Sequence, residues 1–242
     1  MRACVVVFPG SNADREMVHT LRTVSGFPTT TVWHTDTELP AGVDLVALPG
    51  GFSYGDYLRS GAIARVSPIV PAIRRHAERG GYVLGVCNGF QILTEVGLLP
   101  GALTRNVNLR FESFDAFVRV EAEGPFTPRK GQVLRLPVAH GDGRYQASPA
   151  VLAQLEAEGR VAFRYCDADG EVRPTANFNG SVSSIAGIYG GPRRNVLGLM
   201  PHPERMAEAI LGCADGRVLF DAVRTARAAA PAAPGASPTA SA

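Results

Sequence analysis

Cys87 stands at the centre of a short symmetrical motif, Gly85-Val86-Cys87-Asn88-Gly89. An apolar run precedes the motif and the amphipathic segment 90–96 follows it, which predicts a strand, a sharp turn and a helix. Small residues on both sides of such a turn permit a strained backbone with close neighbours, as in a nucleophile elbow. The helix N-terminus favours the thiolate, which is the form that attacks carbon. We therefore interpret Cys87 as a nucleophile, with a buried structural cysteine as the alternative that this motif alone leaves open.

His202 and Glu204 lie in a second motif, Pro201-His202-Pro203-Glu204, which follows the apolar stretch 195–199. The two prolines restrict the backbone around the histidine. In an extended segment, residues two apart point to the same side, so we expect the carboxylate to hold the imidazole in one tautomer. The imidazole can then take a proton from Cys87 and return it to a departing amine. A rigid loop with a solvated histidine is the alternative, and His140 is the rival base.

A pair of glycines, Gly50 and Gly51, comes directly after another apolar run. Glycine pairs leave backbone N–H groups free to point into a cleft. We expect the N–H groups of Gly51 and Asn88 to bind the negative oxygen that forms when a thiolate adds to an amide carbonyl. A turn that needs positive φ explains the same glycines equally well. Phosphate binding is disfavoured, because the chain lacks a G-x-x-x-x-G-K-[ST] pattern and Lys130, its one lysine, lies outside the glycine-rich loops.

The elements that must position these residues are predicted from short apolar runs at 4–8, 45–48 and 82–86, each bounded by Gly or Pro and separated by segments of helical length. This alternation predicts an α/β fold with a mostly parallel sheet and helices on both faces. Between about residues 106 and 138 the pattern becomes irregular and partly alternating. We expect a small antiparallel insertion there, on one edge of the sheet.

Composition excludes several classes of protein. The 242 residues are 45% hydrophobic and 19% charged, with a formal net charge of +2, and the basic residues are scattered, which argues against a nucleic-acid partner. The four cysteines lie far apart in sequence, without the close pairs of zinc or redox sites, and a disulfide framework is not expected. The apolar run 5–8 is too short for a signal peptide, so we expect a cytoplasmic protein without membrane association.

Domain organisation is predicted to be simple. A length of 242 residues is compatible with one α/β domain, which we place at 1–227. From residue 228 to residue 242 the chain contains only Ala, Pro, Ser, Gly and Thr. Such a segment has too little bulky apolar surface to offset its ordering entropy. We therefore expect 228–242 to be a disordered tail.

Taken together, Gly85-Val86-Cys87-Asn88-Gly89-Phe90-Gln91 and Pro201-His202-Pro203-Glu204 resemble the class I glutamine amidotransferases, a family with a Cys-His-Glu triad on a flavodoxin-like α/β fold. Further stretches, at 8–12, 50–59, 139–145 and 179–188, are similar to the glutaminase subunits of phosphoribosylformylglycinamidine synthases. The stretch 50–59 is the most specific of them. Relatives often carry Cys where Ala13 stands, and the segment 111–115 differs from its usual counterpart. These departures affect the expected contacts to a partner or a substrate.

The resemblance implies hydrolysis of glutamine to glutamate and ammonia through a cysteine thioester, with ammonia passed on for purine biosynthesis. It implies these roles: Cys87 as nucleophile, His202 and Glu204 as the rest of the triad, Gly50, Gly51 and Asn88 at the oxyanion, and Gln91 near the bound glutamine. The implied partners are a synthetase subunit together with a small accessory subunit. No cofactor or metal is expected in this chain, while ATP and Mg²⁺ are expected on the synthetase.

Two alternatives of other classes remain at this point. A stand-alone hydrolase of γ-glutamyl amides would use the same three residues and release its product to solvent. A non-catalytic docking module would keep the fold alone, although the presence of Cys87, His202 and Glu204 together argues against it.

Overall fold

The computed structural model describes residues 1–127 and 129–230 of the chain. The described strands are β1 (Ala3–Val7), β2 (Thr29–Trp33), β3 (Leu45–Leu48), β4 (Tyr82–Val86), β5 (Ala102–Thr104), β6 (Glu112–Val120), β7 (Val133–His140), β8 (Arg144–Gln146), β9 (Val161–Cys166), β10 (Ile185–Gly190) and β11 (Val196–Leu199). The described α-helices are α1 (Asp14–His19), α2 (Val70–Glu78), α3 (Asn88–Glu95), α4 (Pro149–Ala157) and α5 (Arg217–Ala229). A π-helical segment, Thr20–Val24, continues α1.

Nine of these strands form one sheet in the order β2-β1-β3-β4-β11-β10-β9-β6-β7, and β5 and β8 pair separately. The five strands from β2 to β11 in this order are parallel to one another. Strands β1, β3, β4 and β11 are almost wholly buried, which explains their continuous apolar sequences. The prediction of an α/β fold with parallel strands and flanking helices is confirmed.

The other end of the sheet is antiparallel. Strands β6 and β7 pair with each other over eight residues and form the edge, as expected for an insertion between residues 106 and 138. Alternating burial along β7 shows that one face packs on the core and the other faces outward. The antiparallel region also includes β9 and β10, which connect this hairpin to β11. It is therefore larger than the sequence pattern indicated.

The strand order places the predicted site at the carboxyl ends of the parallel strands. Strands β4 and β11 are neighbours, with Val83 opposite Val196 and Val86 opposite Leu199. Cys87 follows β4 directly and His202 follows β11 by three residues. Since parallel strands end at the same edge of a sheet, both residues emerge there, together with the Gly50-Gly51 loop that follows β3.

Helix α5 ends at Ala229, two residues beyond the predicted end of the domain. The rest of the predicted tail, 231–242, lies outside the described residues. Within the described residues, we find no helix with the length and apolar character that crossing a membrane requires.

Candidate active site

The turn between β4 and α3 holds Cys87 in an unusual conformation. Its φ is 51° and its ψ is −107°, so a non-glycine residue occupies a strained region of backbone space. The flanking glycines are required by close packing: a Cβ at Gly89 would lie 2.0 Å from the Leu48 carbonyl oxygen, and one at Gly85 would lie 2.7 Å from the Gly89 carbonyl oxygen. The turn therefore has the geometry of a nucleophile elbow, with the cysteine at the start of α3.

His202 and Glu204 form a buried hydrogen-bonded pair. The imidazole Nδ1 lies 2.6 Å from Oε1 of the carboxylate, and each residue is only 2% exposed. The backbone differs from the extended segment expected from the sequence, because Pro203–Met206 forms a 3-10 helix after an extended His202. The proline after His202 starts this helix, and the turn brings the carboxylate back to the ring.

Cys87 and His202 face each other across Gly50. A Cβ at Gly50 would lie 2.5 Å from Cε1 of His202 and 3.4 Å from Cβ of Cys87, so a side chain there would collide with the imidazole. The Cys87 sulfur lies 3.7 Å from the carbonyl oxygen of Ala139, and Nε2 of His202 has no hydrogen-bond partner in the described residues. A carbonyl cannot take a proton from the thiol, whereas the adjacent imidazole can.

The electrostatics of the site favour a charged His202. Burial alone would lower its pKa, but the Glu204 carboxylate and the Cys87 sulfur outweigh burial and raise the pKa of His202 to about 9. The ring is therefore protonated at neutral pH beside the sulfur. This protonation state suits proton donation to a leaving amine.

His140, the rival base, is close by but has the opposite character. Burial, and then the neighbouring positive His202, lower the pKa of His140 to about 3, so it remains neutral at physiological pH. Its Nδ1 lies 3.2 Å from Oδ1 of Asn106, and Nε2 has no partner in the described part of the chain. So weak a base is poorly matched to accepting a thiol proton.

The Gly50-Gly51 loop presents a free backbone donor. Among the described residues, the N–H groups of Gly51 and Asn88 donate no hydrogen bond to a protein acceptor. Gly51 has a φ of 151°, and a Cβ there would lie 2.5 Å from the Gly10 carbonyl oxygen. Residues 10–12 of the β1–α1 loop thus pack directly under the glycine pair, which explains the Pro-Gly-Ser-Asn motif after β1.

Two amide side chains connect the pieces of the site. Asn88 accepts a hydrogen bond from the Ser53 N–H at 3.2 Å and donates one to Gln91 at 2.8 Å. Gln91 in turn donates to the carbonyl oxygen of Asp142 at 2.8 Å. The elbow helix is therefore hydrogen-bonded both to the glycine loop and to the loop that follows β7.

A cleft of about 330 Å³ opens beside the sulfur. Of the predicted site residues, Gly51, Cys87 and Gln91 line it. Sequence reasoning did not assign Asp56, Ser60, Arg105 and Asp142, which also line it, although Asp56 and Asp142 belong to stretches that carry the resemblance. In the ranges 1–127 and 129–230, no group of three or more His, Cys, Asp or Glu side chains is placed to hold a metal ion.

Comparison with known proteins identifies the family. The model of the CobB/CobQ-like glutamine amidotransferase domain matches residues 1–212. The chain is 58% identical over 226 residues to the phosphoribosylformylglycinamidine synthase subunit PurQ of Rhodospirillum rubrum, covering 92% of this chain and 98% of that protein. It is 56% identical over 223 residues to the protein of the same name from Bradyrhizobium diazoefficiens, covering 91% and 95%.

Solved structures agree with the sequence relatives. A chain in the structure of PurLQS from Thermotoga maritima superposes with a TM-score of 0.81 at 42% identity, covering 93% of this chain and 98% of that one. A glutamine amidotransferase from Thermotoga maritima, at 18% identity and a TM-score of 0.55, shares the fold over 94% of this chain and 92% of that one. With an elbow cysteine facing a His–Glu pair, and with these matches along nearly its whole length, the chain belongs to the CobB/CobQ-like glutamine amidotransferases.

Proposed function

We propose that this chain is the glutaminase subunit of a phosphoribosylformylglycinamidine synthase. It hydrolyses glutamine and delivers ammonia to a synthetase subunit, which converts formylglycinamide ribonucleotide to formylglycinamidine ribonucleotide. The observation that carries the proposal is the meeting of Cys87 with the His202–Glu204 pair beside an open cleft, in a chain 58% identical to a PurQ subunit.

The reaction begins when the Cys87 thiolate adds to the carboxamide carbon of glutamine. The N–H groups of Gly51 and Asn88 stabilise the resulting oxyanion. The carbon–nitrogen bond then breaks, the His202 imidazolium gives its proton to the nitrogen, and ammonia leaves a γ-glutamyl thioester. Water next adds to the thioester while His202 takes its proton, and cleavage of the carbon–sulfur bond gives glutamate and regenerates the cysteine.

The acceptor site for ammonia belongs to a partner. The glutaminase fold occupies nearly all of the described chain, which leaves no second domain there to bind a nucleotide substrate. The solved relative is part of a structure named PurLQS. The partners that we assign are therefore the synthetase and a small accessory subunit. We assign ATP and Mg²⁺ to the synthetase, and the cytoplasm as the place of assembly.

The proposed function is tested by Cys87→Ser in the complex reconstituted with its synthetase and accessory subunits. Synthesis from glutamine should fall by more than a thousandfold, whereas synthesis from added ammonium should be unchanged, because the acceptor site remains intact. Both rates are measured as formation of the amidine product. Cys213→Ser, which changes a partly exposed cysteine outside the cleft, should leave both rates as in the wild type. Glutamine-dependent synthesis that survives in Cys87→Ser contradicts the assignment.

A further inference from the structure

The peptide group between Gly50 and Gly51 has a fixed direction. The Gly50 carbonyl oxygen accepts hydrogen bonds from the N–H groups of Asn12 and Ala13, each at 3.2 Å. In a trans peptide such as this one, the carbonyl oxygen and the N–H point in opposite directions. The N–H of Gly51 therefore points away from residues 12 and 13, and Gly51 lines the cleft beside Cys87. The position of the loop decides where this donor lies.

The segment that follows this donor has a strained backbone. Tyr54, Asp56 and Leu58 have φ values of 55°, 55° and 70°, a region that residues other than glycine rarely occupy. Such conformations persist only where the surrounding structure holds them. At the start of the segment, the Tyr54 N–H donates to the Pro9 carbonyl oxygen at 2.7 Å. Tyr54 is thus a strained residue with a fixed backbone, three positions after Gly51.

The hydroxyl of Tyr54 joins this loop to two further segments. It lies 2.8 Å from Nδ1 of His34, the residue after β2, and 2.9 Å from Oγ of Ser67, which precedes α2. The His34 ring in turn stacks on Phe8, the residue after β1, with ring centroids 6.2 Å apart. One hydroxyl therefore ties the strained loop to the carboxyl ends of β1 and β2.

The same loop contacts the other expected oxyanion donor. Ser53, next to Tyr54, donates its N–H to Oδ1 of Asn88 at 3.2 Å. The backbone N–H of Asn88, like that of Gly51, has no protein acceptor among the described residues. Two donors must meet at one oxygen, one from the loop and one from the elbow helix. Their separation therefore depends on how the loop is held.

We propose that Tyr54 is a positioning residue for the glutaminase reaction. Its hydroxyl contacts with His34 and Ser67 hold the loop so that the Gly51 N–H is directed at the oxyanion. Tyr54 does not line the cleft, so it acts through the loop and not on the substrate. The oxyanion forms only as the thiolate adds, so a displaced donor slows the chemical step and leaves glutamine binding unaltered. This proposal rests on the glutaminase function proposed above.

The test is Tyr54→Phe in the complex reconstituted with the synthetase and accessory subunits. For glutamate release, kcat should fall by about tenfold to a hundredfold, while KM for glutamine changes by less than about threefold. Alkylation of Cys87 by iodoacetamide displaces iodide from a saturated carbon and forms no oxyanion. Its rate, followed by mass spectrometry of the peptide that contains Cys87, should therefore equal that of the wild type.

Substitutions of His34 separate the hydrogen bond from the fold. His34→Leu removes the partner of the Tyr54 hydroxyl and should lower kcat, whereas His34→Asn keeps a hydrogen-bonding group near the position of Nδ1 and should retain kcat within about threefold. The losses of His34→Leu and Tyr54→Phe should be less than additive when combined, because the two changes remove one shared contact. An equal loss of kcat in the two His34 variants overturns the role of the hydroxyl.

Tyr189→Phe is the matched control. The Tyr189 hydroxyl also has two partners, Oγ1 of Thr127 at 2.7 Å and the N–H of Phe126 at 3.2 Å, but it lies outside the cleft. Its loss should leave kcat, KM and alkylation as in the wild type. A fall in kcat of less than tenfold in Tyr54→Phe, or a fall that KM or alkylation shares, overturns the positioning role. A wild-type complex that releases no glutamate overturns the proposed function instead.

Discussion

Two buried histidines beside the cleft have opposite protonation states. His202 has a raised pKa because the Glu204 carboxylate and the Cys87 sulfur outweigh its burial, whereas His140 has a pKa lowered by burial and by its charged neighbour. The first-named of the two groups that raise the pKa of His202 is a carboxylate two residues along the chain, hydrogen-bonded to its Nδ1. Glu204 therefore selects which imidazole carries the proton, and the weakly basic His140 is left as an acceptor.

The role of Glu204 is open to a pH test. As the pH rises through about 9, His202 loses its proton, so glutaminase kcat should fall along that limb. In Glu204→Gln the pKa of His202 should drop, which moves the fall in kcat to lower pH and reduces kcat at neutral pH by about 10²- to 10⁴-fold. The raised pKa also stabilises the fold fully below the ordinary value of 6.5, and this contribution is lost as the pH rises through about 9.

A matched control comes from a second His–Glu pair on the surface. Nε2 of His19 lies 2.7 Å from Oε1 of Glu208, and the two side chains are 50% and 36% exposed. Glu208→Gln makes the same chemical change outside the cleft, and its pH–rate profile should superpose on that of the wild type. An alkaline limb that stays in place in Glu204→Gln would contradict the assignment of His202 as the proton donor.

At the scale of elements, the site depends on how closely α3 approaches β3. A Cβ at Gly89 would lie 2.0 Å from the oxygen and 2.8 Å from the carbon of the Leu48 carbonyl, so Gly89→Ala must push the helix away from the strand. We expect a loss of about 2–4 kcal/mol in the free energy of unfolding, measured by urea denaturation. The matched change Gly97→Ala meets no atom within 4 Å and should cost about 1 kcal/mol, from its φ of 70° alone.

If Gly89→Ala lowers the free energy of unfolding no more than Gly97→Ala does, then α3 can shift freely. The elbow would in that case not depend on this packing.

The sequence predicts the parallel elements better than the antiparallel ones. Runs 45–48 and 82–86 coincide with β3 and β4, and the first strand is displaced by one residue, because buried parallel strands have continuous apolar sequences. Strand β2 lies at the sheet edge, begins with three threonines of which Thr30 and Thr31 are exposed, and has no such signature. The pairing of β9 with β6, in which Phe117 lies opposite Cys166, depends on contacts between distant segments, which no local pattern records.

The same distinction applies within the site. Cys87, His202 and Glu204 could be predicted because each lies in a motif that restricts its own backbone, and the structure brings all three together. Asp56 and Asp142 also lie in glycine-rich loops, but their shared cleft depends on loops 86 residues apart in sequence. No local sequence pattern indicated that these two aspartates line the same cleft.

At the scale of the whole molecule, large apolar side chains are exposed within the segments that line the cleft or next to them in the chain. Five of these exposed residues form what we call the apolar rim: Phe52, Tyr57, Leu58, Leu109 and Phe111. Phe52 and Phe111 line the cleft, and their ring centroids are 6.3 Å apart. Since the ammonia formed inside must reach another protein, we expect the rim to contact the synthetase.

Leu58→Asp tests this contact. Leu58 is 88% exposed, and its φ of 70° is one that Asp tolerates, so the variant should fold normally. Affinity for the synthetase should fall by at least about tenfold, measured by calorimetry, while alkylation of Cys87 by iodoacetamide is unchanged. The control Ile210→Asp alters an equally exposed residue, 90% accessible, that is not part of the apolar rim. Equal affinities for Leu58→Asp and the wild type would place the synthetase elsewhere.

The adjacency of β4 and β11 has one more consequence. Cys87 donates its N–H to the Leu199 carbonyl oxygen at 2.8 Å, so the nucleophile and the segment leading to His202 are joined by the hydrogen bonds of the sheet centre itself. The amides that join them belong to the part of a protein that exchanges with solvent most slowly, commonly through global opening. We therefore expect ammonia release to be lost during denaturation together with the cooperative melting of the sheet centre.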